Sequence, residues 1–321
     1  MRYFVKLCAC SLGLLLLWVV PSQAQSVSNV GLGRSPINLT KGLAENPLNS
    51  VRQISRASSW RSPSGVVEAA TVLDDLARSR VVYLGETHDS AADHQAQLQI
   101  LQALHERNPR LAIAMEMFQR PYQVAIDRYL AGEIDEATLQ QQTEYDQRWG
   151  FPWEYYAPIL RFAKANGLPV IALNVPAEIT RQVARNGLES LSEGDRQWIP
   201  PAAEIQPGDP AYRQMLQEVY DQIHQGRSAS SNFENFFMAQ VLWDETMAEG
   251  VANFAKANPE TQIVVLAGEG HIVFGHGIPS RVARRFQVSG VEGIQQRSVI
   301  LNPEPEMVGE GAIADYFWME E

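Results

Sequence analysis

Cysteine is nearly absent from this chain of 321 residues. Its two cysteines, Cys8 and Cys10, both lie within the first 24 residues. Arg2 and Lys6 precede an apolar stretch there, which is the pattern of a signal peptide. Once residues 1–24 are cleaved, the mature chain contains no cysteine, and this excludes both disulfide bonds and thiolate metal sites.

Long hydrophobic runs are also missing. The apolar stretch at residues 7–20 is shorter than the roughly 20 residues that cross a bilayer, and Ser-Gln-Ala at 22–24 fits a signal-peptidase site. We therefore expect export to a periplasmic or other extracytoplasmic location. Both cysteines precede most of the apolar stretch, whereas a lipoprotein cysteine follows it, so the sequence does not support membrane attachment.

Basic residues are too few for a nucleic-acid-binding protein. The chain has 26 lysines and arginines against 37 aspartates and glutamates, a net charge of −11. Without the signal peptide, 24 basic residues face the same 37 acidic ones, and the net charge is −13. Because a phosphate backbone attracts a basic surface, we predict no nucleic-acid partner.

What the sequence does contain is a phrase that occurs twice. Residues 81–88 are Val-Val-Tyr-Leu-Gly-Glu-Thr-His, and residues 264–271 are Val-Val-Leu-Ala-Gly-Glu-Gly-His. Each apolar run is typical of a strand that is buried on both faces. Glutamate and histidine then follow at the carboxyl end of the strand, where open α/β sheets bind their ligands. If the two strands are parallel neighbours, both motifs lie in one pocket.

Strand and helix patterns alternate from about residue 66 onward, which predicts an α/β fold with a mainly parallel sheet flanked by helices. Strands are predicted at 81–85, 111–115, 169–173, 262–267 and 297–301. Single helices are predicted at 66–79, 91–107, 177–187, 210–225, 232–257 and 279–285, and several helices between 121 and 166. The segment 190–231 interrupts this alternation and predicts a helical insertion. The predicted organisation is a signal peptide at 1–24, a flexible linker at 25–64, the α/β domain at 65–310 and a C-terminal tail at 311–321.

Four side chains at the predicted strand ends form what we call the strand-end quartet: Glu86, His88, Glu116 and His271. Residues two apart in an extended chain point the same way, so Glu86 and His88, and likewise Glu269 and His271, should face the pocket together. A carboxylate beside a histidine fixes its tautomer and raises its pKa from about 6.5. Such an arrangement suits a general base, a divalent-metal site or a porphyrin pocket.

Further candidate binding residues lie elsewhere in the chain. Aromatic side chains crowd the segment 149–156, and Tyr155 and Tyr156 are candidate haem ligands because haem iron accepts tyrosine as an axial ligand. Arg281 and Arg285 share one face of a predicted helix, and that face could receive a single anionic group. Arg281 is therefore a candidate cofactor-binding residue.

Five short motifs carry a resemblance to a known family. They are Gly-Glu-Thr-His-Asp at 85–89, Met-Glu-Met-Phe at 115–118, Ala-Gln-Val-Leu-Trp-Asp-Glu-Thr-Met-Ala at 239–248, Gly-Glu-Gly-His at 268–271 and Gly-Ile-Pro-Ser-Arg at 277–281. In this order they resemble the ChaN family of haem-binding uptake proteins over about 70–310. The resemblance implies an exported iron-acquisition protein that holds haem between two subunits, with a tyrosine on the iron and a histidine and a lysine near the propionates.

The same resemblance extends to a wider superfamily that includes Tiki-type metalloproteases and erythromycin esterases. It maps the strand-end quartet onto the paired glutamate and histidine positions of that superfamily. Glu269 falls at a position that varies within the family, so the resemblance assigns it less weight than its likeness to Glu86 suggests.

Two functions follow as expectations. The first is an exported haem-binding protein that acts in haem or iron uptake as a homodimer around haem, with His88, His271, Tyr155, Tyr156 and Arg281 as cofactor-binding residues. The second is a hydrolase, an esterase or protease, in which the quartet is catalytic or binds a divalent metal ion. The quartet alone favours hydrolysis, whereas the order of the motifs favours haem binding, which we take as the first expectation.

Overall fold

The computed structural model describes residues 58–223, 232–290, 293–309 and 312–320. The predicted signal peptide and most of the predicted linker lie outside these residues. The strands are β1 (Ser58–Ser62), β2 (Gly65–Val67), β3 (Val81–Glu86), β4 (Leu111–Gln119), β5 (Val170–Asn174), β6 (Gln262–Gly268), β7 (Gln296–Leu301) and β8 (Tyr316–Glu320). They form one sheet in the order β2-β1-β8-β7-β3-β6-β4-β5.

Every strand pair from β3 to β8 is parallel, and β1 pairs antiparallel with both β8 and β2. The helices are α1 (Ala69–Arg78), α2 (Ala91–Arg107), α3 (Gln123–Leu130), α4 (Glu136–Gln142), α5 (Tyr145–Arg148), α6 (Trp153–Asn166), α7 (Ala177–Asn186), α8 (Glu193–Arg196), α9 (Pro210–Ile223), α10 (Phe233–Ala257) and α11 (Ile278–Val288). The predicted fold class, a mainly parallel sheet flanked by helices, is confirmed. Among the described residues, no helix has the length and apolar character that crossing a membrane requires.

Helices pack on both faces of the sheet and form two hydrophobic cores. Helices α7, α9, α10 and α11 contribute to one core, and α1, α2 and α6 contribute to the other. Val81 and Tyr83 of β3 point into the first core, whereas Val82 and Leu84 point into the second. This alternation follows from the two-residue period of a strand, and it explains why β3 is a continuous apolar run. Each buried aliphatic side chain stabilises the fold by roughly 1.5–3 kcal/mol.

The two copies of the repeated phrase lie side by side. Strands β3 and β6 are direct parallel neighbours, and their register places Glu86 opposite Gly268. Strand β4 pairs with the other edge of β6, with Met115 opposite Leu266. The carboxyl ends of these three strands therefore meet at one edge of the sheet, as the sequence predicts.

Two segments that were predicted to lack regular structure form strands. Strand β1 lies in the predicted linker, and β8 lies in the predicted C-terminal tail, so the strand at 297–301 is not the last one. Trp60 of β1 and Trp318 of β8 are buried and pack edge to face, with ring centroids 5.0 Å apart. Each of these strands is short, and its stability depends on a contact between distant parts of the chain. The local sequence pattern therefore does not predict either strand.

The segment predicted as a helical insertion consists, where it is described, of two helices that are joined by a loop with one 3-10 turn. It contains α8 and α9, and residues 224–231 lie outside the described part. Helix α9 packs against α10, and it places the buried Tyr212 next to the strand ends. The insertion therefore contributes a side chain to the site.

Candidate functional site

The strand-end quartet is assembled by three strands. Glu86 ends β3, Glu116 lies within β4, and His271 lies in the short 3-10 turn that follows β6. His88 lies in the connection from β3 to α2, which begins directly afterwards because the Ser90 side chain caps its first turn. All four quartet residues are at most 3% exposed, so the predicted convergence is accompanied by complete burial.

Glu86 is the centre of the first half of the site. One of its oxygens, Oε1, lies 2.8 Å from His88 Nδ1 and accepts a hydrogen bond from the Tyr156 hydroxyl at 2.6 Å. The other oxygen, Oε2, accepts from Gln97 Nε2 at 2.6 Å. A buried carboxylate needs such donors, because burying it alone costs several kcal/mol. Because Glu86 only accepts, Nδ1 of His88 carries a proton.

Burial lowers the pKa of His88, but the hydrogen bond that His88 donates to Glu86 and the charge of Glu116 outweigh burial and raise the pKa overall. The ring of His94 lies behind this pair, with Nε2 3.0 Å from the His88 carbonyl oxygen. The first half of the site is thus a fully hydrogen-bonded network that fixes the orientation of the His88 ring.

The second half of the site is built around His271. Its Nδ1 lies 2.6 Å from Asp244 Oδ1, and its Nε2 lies 3.5 Å from Glu116 Oε1. Asp244 also accepts a hydrogen bond from the Tyr212 hydroxyl of the insertion at 2.5 Å, and Glu116 accepts one from the Gly268 amide at 2.8 Å. His271 is therefore held between two carboxylates.

Burial lowers the pKa of His271, but the negative charges of Glu116 and Asp244 outweigh it and raise the pKa to about 10. The pKa of Glu116 is lowered: burial raises it, and the charge and hydrogen bond of His271 more than offset that effect. At neutral pH the site therefore contains an imidazolium between two carboxylates. Asp244 is a site residue that the sequence interpretation did not assign, although it lies in the motif at 239–248 that carries the family resemblance.

The Asp244→Asn variant is expected to lower the pKa of His271 by more than about one unit, because the group that accepts the hydrogen bond of His271 Nδ1 is then neutral. NMR titration of the histidine ring protons measures this pKa. The Asp209→Asn variant is the matched control, since it removes a carboxylate 3.3 Å from Nδ1 of a different histidine, His276. An unchanged His271 titration in Asp244→Asn would contradict the assigned network.

The two halves meet at Gly268. A Cβ atom on this residue would lie 2.9 Å from Cε1 and Nε2 of His88 and 3.7 Å from Glu116 Oε2. Only a glycine hydrogen fits between them, so glycine at this strand end lets the imidazole approach the backbone. Tryptophan rings close the site on both sides, with Trp149 4.8 Å from the His88 ring and Trp243 4.9 Å from the His271 ring. These apolar walls exclude water and strengthen the polar contacts inside.

Glu269 does not repeat the role of Glu86, although the two phrases are alike. Residues Glu269–His271 form a 3-10 turn, so the rule for extended chain does not apply and the predicted pairing of Glu269 with His271 is wrong. The Glu269 side chain is 2% exposed, and its Oε1 has no hydrogen-bond partner among the described residues. Burial and the nearby charge of Asp93 raise its pKa to about 7.

This pKa predicts a stability difference that depends on pH. The Glu269 carboxyl has a pKa of 4.5 in the unfolded chain and about 7 in the folded one. Between these values the folded state keeps a proton that the unfolded state has lost, so the free energy of unfolding falls as pH rises through this window. The side chain of Glu269→Gln cannot titrate, so this variant does not lose stability in that pH range. The unfolding free energy of Glu269→Gln minus that of wild type should therefore rise by up to about 3 kcal/mol between a pH below 4.5 and a pH above about 7.

Urea unfolding of both proteins across the pH series checks this expectation. A constant difference in unfolding free energy over the whole range would contradict the buried, uncharged state of Glu269.

The candidate cofactor-binding residues are only partly brought together, since His88 and Tyr156 meet at Glu86 Oε1. Tyr156 is buried and donates to Glu86, and burial together with that carboxylate raises its pKa well above 10. Tyr155 is partly exposed on the same helix, and its ring stacks on His94 at 4.7 Å. Arg281 is 2% exposed and lies 3.4 Å from Glu245, next to the insertion. Of the two predicted haem-binding tyrosines, only Tyr155 is partly exposed.

The divalent-metal alternative finds no support in the geometry. Within the described ranges, no group of three or more histidine, cysteine, aspartate or glutamate side chains has an arrangement that could hold a metal ion. The quartet residues instead contact one another and Tyr156, Gln97 and Asp244. Glu116 Oε1, 3.5 Å from His271 Nε2, has no hydrogen-bond partner among the described residues.

Comparison with known proteins identifies relatives of this chain. A family model described as haem-binding uptake, Tiki superfamily, ChaN matches residues 72–282. Among curated proteins, the chloroplastic Protein RETICULATA-RELATED 5 of Arabidopsis thaliana is 26% identical over 263 residues, which cover 77% of this chain and 35% of that protein. This chain therefore spans about a third of the length of that relative.

Among solved structures, one described as cofacial haem binding to ChaN of Campylobacter jejuni has a TM-score of 0.63 at 14% identity, and the match covers 83% of this chain and 98% of that one. A variant of the erythromycin esterase EreC in its open conformation has a TM-score of 0.44 at 14% identity and covers 81% and 82% of the two chains. The likeness to ChaN shows a shared fold. Because the family model matches most of the α/β domain, the predicted resemblance is confirmed, and the chain belongs to the ChaN family of haem-binding uptake proteins in the Tiki superfamily.

Proposed function

We propose that this protein is an exported haem-binding protein that acts in haem or iron uptake. The observation that carries the proposal is the family match over residues 72–282. The predicted signal peptide at 1–24 supports export to a periplasmic or other extracytoplasmic location. Haem is the cargo in this account, and the protein binds and orients it.

The chemistry of the accessible side chains fits haem. Tyr155 is partly exposed, and its hydroxyl lies 3.5 Å from the carbonyl oxygen of Asp89, at the limit of a hydrogen bond. That hydroxyl is available to an iron atom, and tyrosine is an accepted axial ligand of haem. We therefore assign the iron to Tyr155. Phe151, which is partly buried and lies 5.2 Å from the His88 ring, offers an apolar surface for the porphyrin on the same side of the molecule.

In this proposal the quartet does not touch the iron. Its side chains are buried, and both histidines already have carboxylate partners. A porphyrin cannot reach them while the site is closed. The quartet instead fixes the ends of β3, β4 and β6, and through Tyr156 it holds helix α6, which carries Tyr155.

Titration of hemin into the chain without residues 1–24, followed by optical absorption, tests the proposal. We expect saturable growth of the Soret band near one haem per chain. Growth that does not saturate would overturn the proposal. A spectrum that is the same as that of free hemin would also overturn it.

We further propose that haem joins two copies of the chain. The solved relative is described with cofacial haem binding, and a haem shared between two chains favours the dimer by mass action. Light scattering with and without hemin measures the subunit mass. A doubling of mass that depends on hemin supports the shared pocket, whereas an unchanged monomer mass at saturating hemin contradicts it.

A second candidate function, hydrolysis of an ester or peptide, is favoured by one specific observation. His271 is oriented by Asp244 at 2.6 Å and faces a second carboxylate, Glu116, and a histidine held protonated by such carboxylates can donate a proton to a leaving group as a general acid. A panel of chromogenic esters and peptides tests this function. Activity that disappears in Asp244→Asn and survives in Asp209→Asn would establish it, and absence of turnover would remove it.

A further inference from the structure

A surface groove of about 500 Å³ separates the insertion from the start of helix α11. The loop at 206–209 forms one wall, and Ser280, Arg281 and Arg284 form the other. The groove lies on the insertion side of the molecule, and neither Tyr155 nor any quartet residue lines it. It is therefore a place where a second ligand could bind independently of haem.

The wall of this groove carries an excess of positive charge. Arg281, Arg284 and Arg285 surround the buried carboxylate of Glu245 at 3.4, 2.7 and 2.9 Å. Glu204 lies 2.5 Å from Arg285. Of these groups only Arg281 and Arg284 line the groove, together with the carboxylate of Asp209, so its lining carries two positive charges and one negative charge.

Arg281 has donor capacity that the protein does not use. Its Nη1 donates to the carbonyl oxygens of His276 at 2.6 Å and Gly277 at 3.0 Å. Its Nη2 is buried and has no hydrogen-bond partner among the described residues. The guanidinium plane is held over the Tyr212 ring at 4.7 Å, so the direction of the free N–H groups is fixed. A buried donor without an acceptor is rare in native proteins, and here it adjoins a groove.

Gly208 is the point at which the groove reaches this donor. Its φ is +83°, and a Cβ atom there would lie 3.4 Å from Arg281 Nη2. Because glycine has no side chain, only the backbone of this loop lies between Nη2 and the groove. Asp209, the carboxylate in the same loop, is already used, since it accepts from the Tyr212 amide at 2.8 Å and lies 3.3 Å from His276 Nδ1.

We propose that this groove is a binding site for a small oxyanion, a carboxylate or a phosphate. An anion that displaces the loop backbone at Gly208 places one oxygen on Arg281 Nη2, and the partly exposed Arg284 contacts the anion from the rim. Guanidinium groups suit both anions, because their parallel N–H donors match two oxygens of a carboxylate or phosphate. The first turn of α11, which opens at Ile278, adds a favourable helix-dipole field.

The Gly208→Ala variant tests the proposal without removing any charge. It places a methyl group 3.4 Å from Nη2, between this donor and the groove, and the Gly132→Ala variant is its matched control. Gly132 has a φ of +79° and no atom within 4 Å of its added Cβ, so it carries the same backbone strain with no effect on the groove. Both variants are checked for equal loss of thermal stability before binding is compared.

Calorimetric titrations with inorganic phosphate and with succinate, at constant ionic strength set by chloride, measure binding. We expect one saturable site in wild type and Gly132→Ala, and at least ten-fold weaker binding in Gly208→Ala and in Arg284→Gln. The anion that binds more tightly identifies the source of the ligand. No saturable binding of either anion, or equal binding in Gly208→Ala and wild type, would overturn the proposal, and hemin titrations of the same variants show whether haem binding is separate.

Discussion

Replacing Gly277 with alanine is expected to lower the free energy of unfolding by more than about 4 kcal/mol. A Cβ atom at this position would lie 2.2 Å from the carbonyl oxygen of His271 and 2.7 Å from its carbonyl carbon. Both contacts are with backbone, so no side-chain rotation relieves them. The turn that carries His271 must move, and urea unfolding measures the cost.

Gly194→Ala is the control for this substitution. Its added Cβ meets only the hydroxyl oxygen of Ser192, at 3.6 Å, and alanine is preferred over glycine within a helix by roughly 0.5–1 kcal/mol. We expect Gly194→Ala to be as stable as wild type or slightly more stable. If Gly277→Ala also unfolds like wild type and keeps the His271 titration, the described packing of this turn is wrong.

Replacing Glu86 with alanine is expected to cost about 3–5 kcal/mol of unfolding free energy. The change removes the acceptor of three buried donors, on His88, Gln97 and Tyr156. Each donor is then left without a partner where water does not reach. Denaturant unfolding at neutral pH measures the loss.

Two further variants make this result specific. Glu86→Gln keeps the shape and one acceptor oxygen, so its cost should fall between that of wild type and that of Glu86→Ala. Glu189→Ala removes a carboxylate that is 95% exposed and 3.8 Å from Arg196, and it should change stability by no more than about 0.5 kcal/mol. A Glu86→Ala protein within about 1 kcal/mol of wild type would contradict the role of Glu86 as the centre of the network.

The sequence predicted the parts of the site that depend on local pattern. The apolar run before Glu86 made β3 recognisable, and the extended geometry of that run placed Glu86 and His88 together. The likeness of the two phrases indicated one shared pocket on the condition that β3 and β6 are parallel neighbours, and the structure meets this condition. The same likeness was misleading for Glu269, because β6 ends in a 3-10 turn where β3 runs on to Glu86.

Other parts of the site depend on packing between distant elements, which a local pattern does not report. Asp244 lies on α10, and its contact with His271 arises only when that helix packs over the sheet. Tyr155 and Tyr156 are adjacent, and successive helical residues point about 100° apart, so only the packing of α6 decides which of them is buried. Strands β1 and β8 are likewise defined by each other.

Resonance Raman spectroscopy of the haem-loaded protein tests the central claim most directly, because it identifies the iron ligand. We expect iron–phenolate vibrations in wild type that persist in Tyr156→Phe and disappear in Tyr155→Phe. A spectrum of histidine-ligated iron, or iron–phenolate vibrations that remain in Tyr155→Phe, would contradict the assignment of haem to Tyr155 outside the buried quartet.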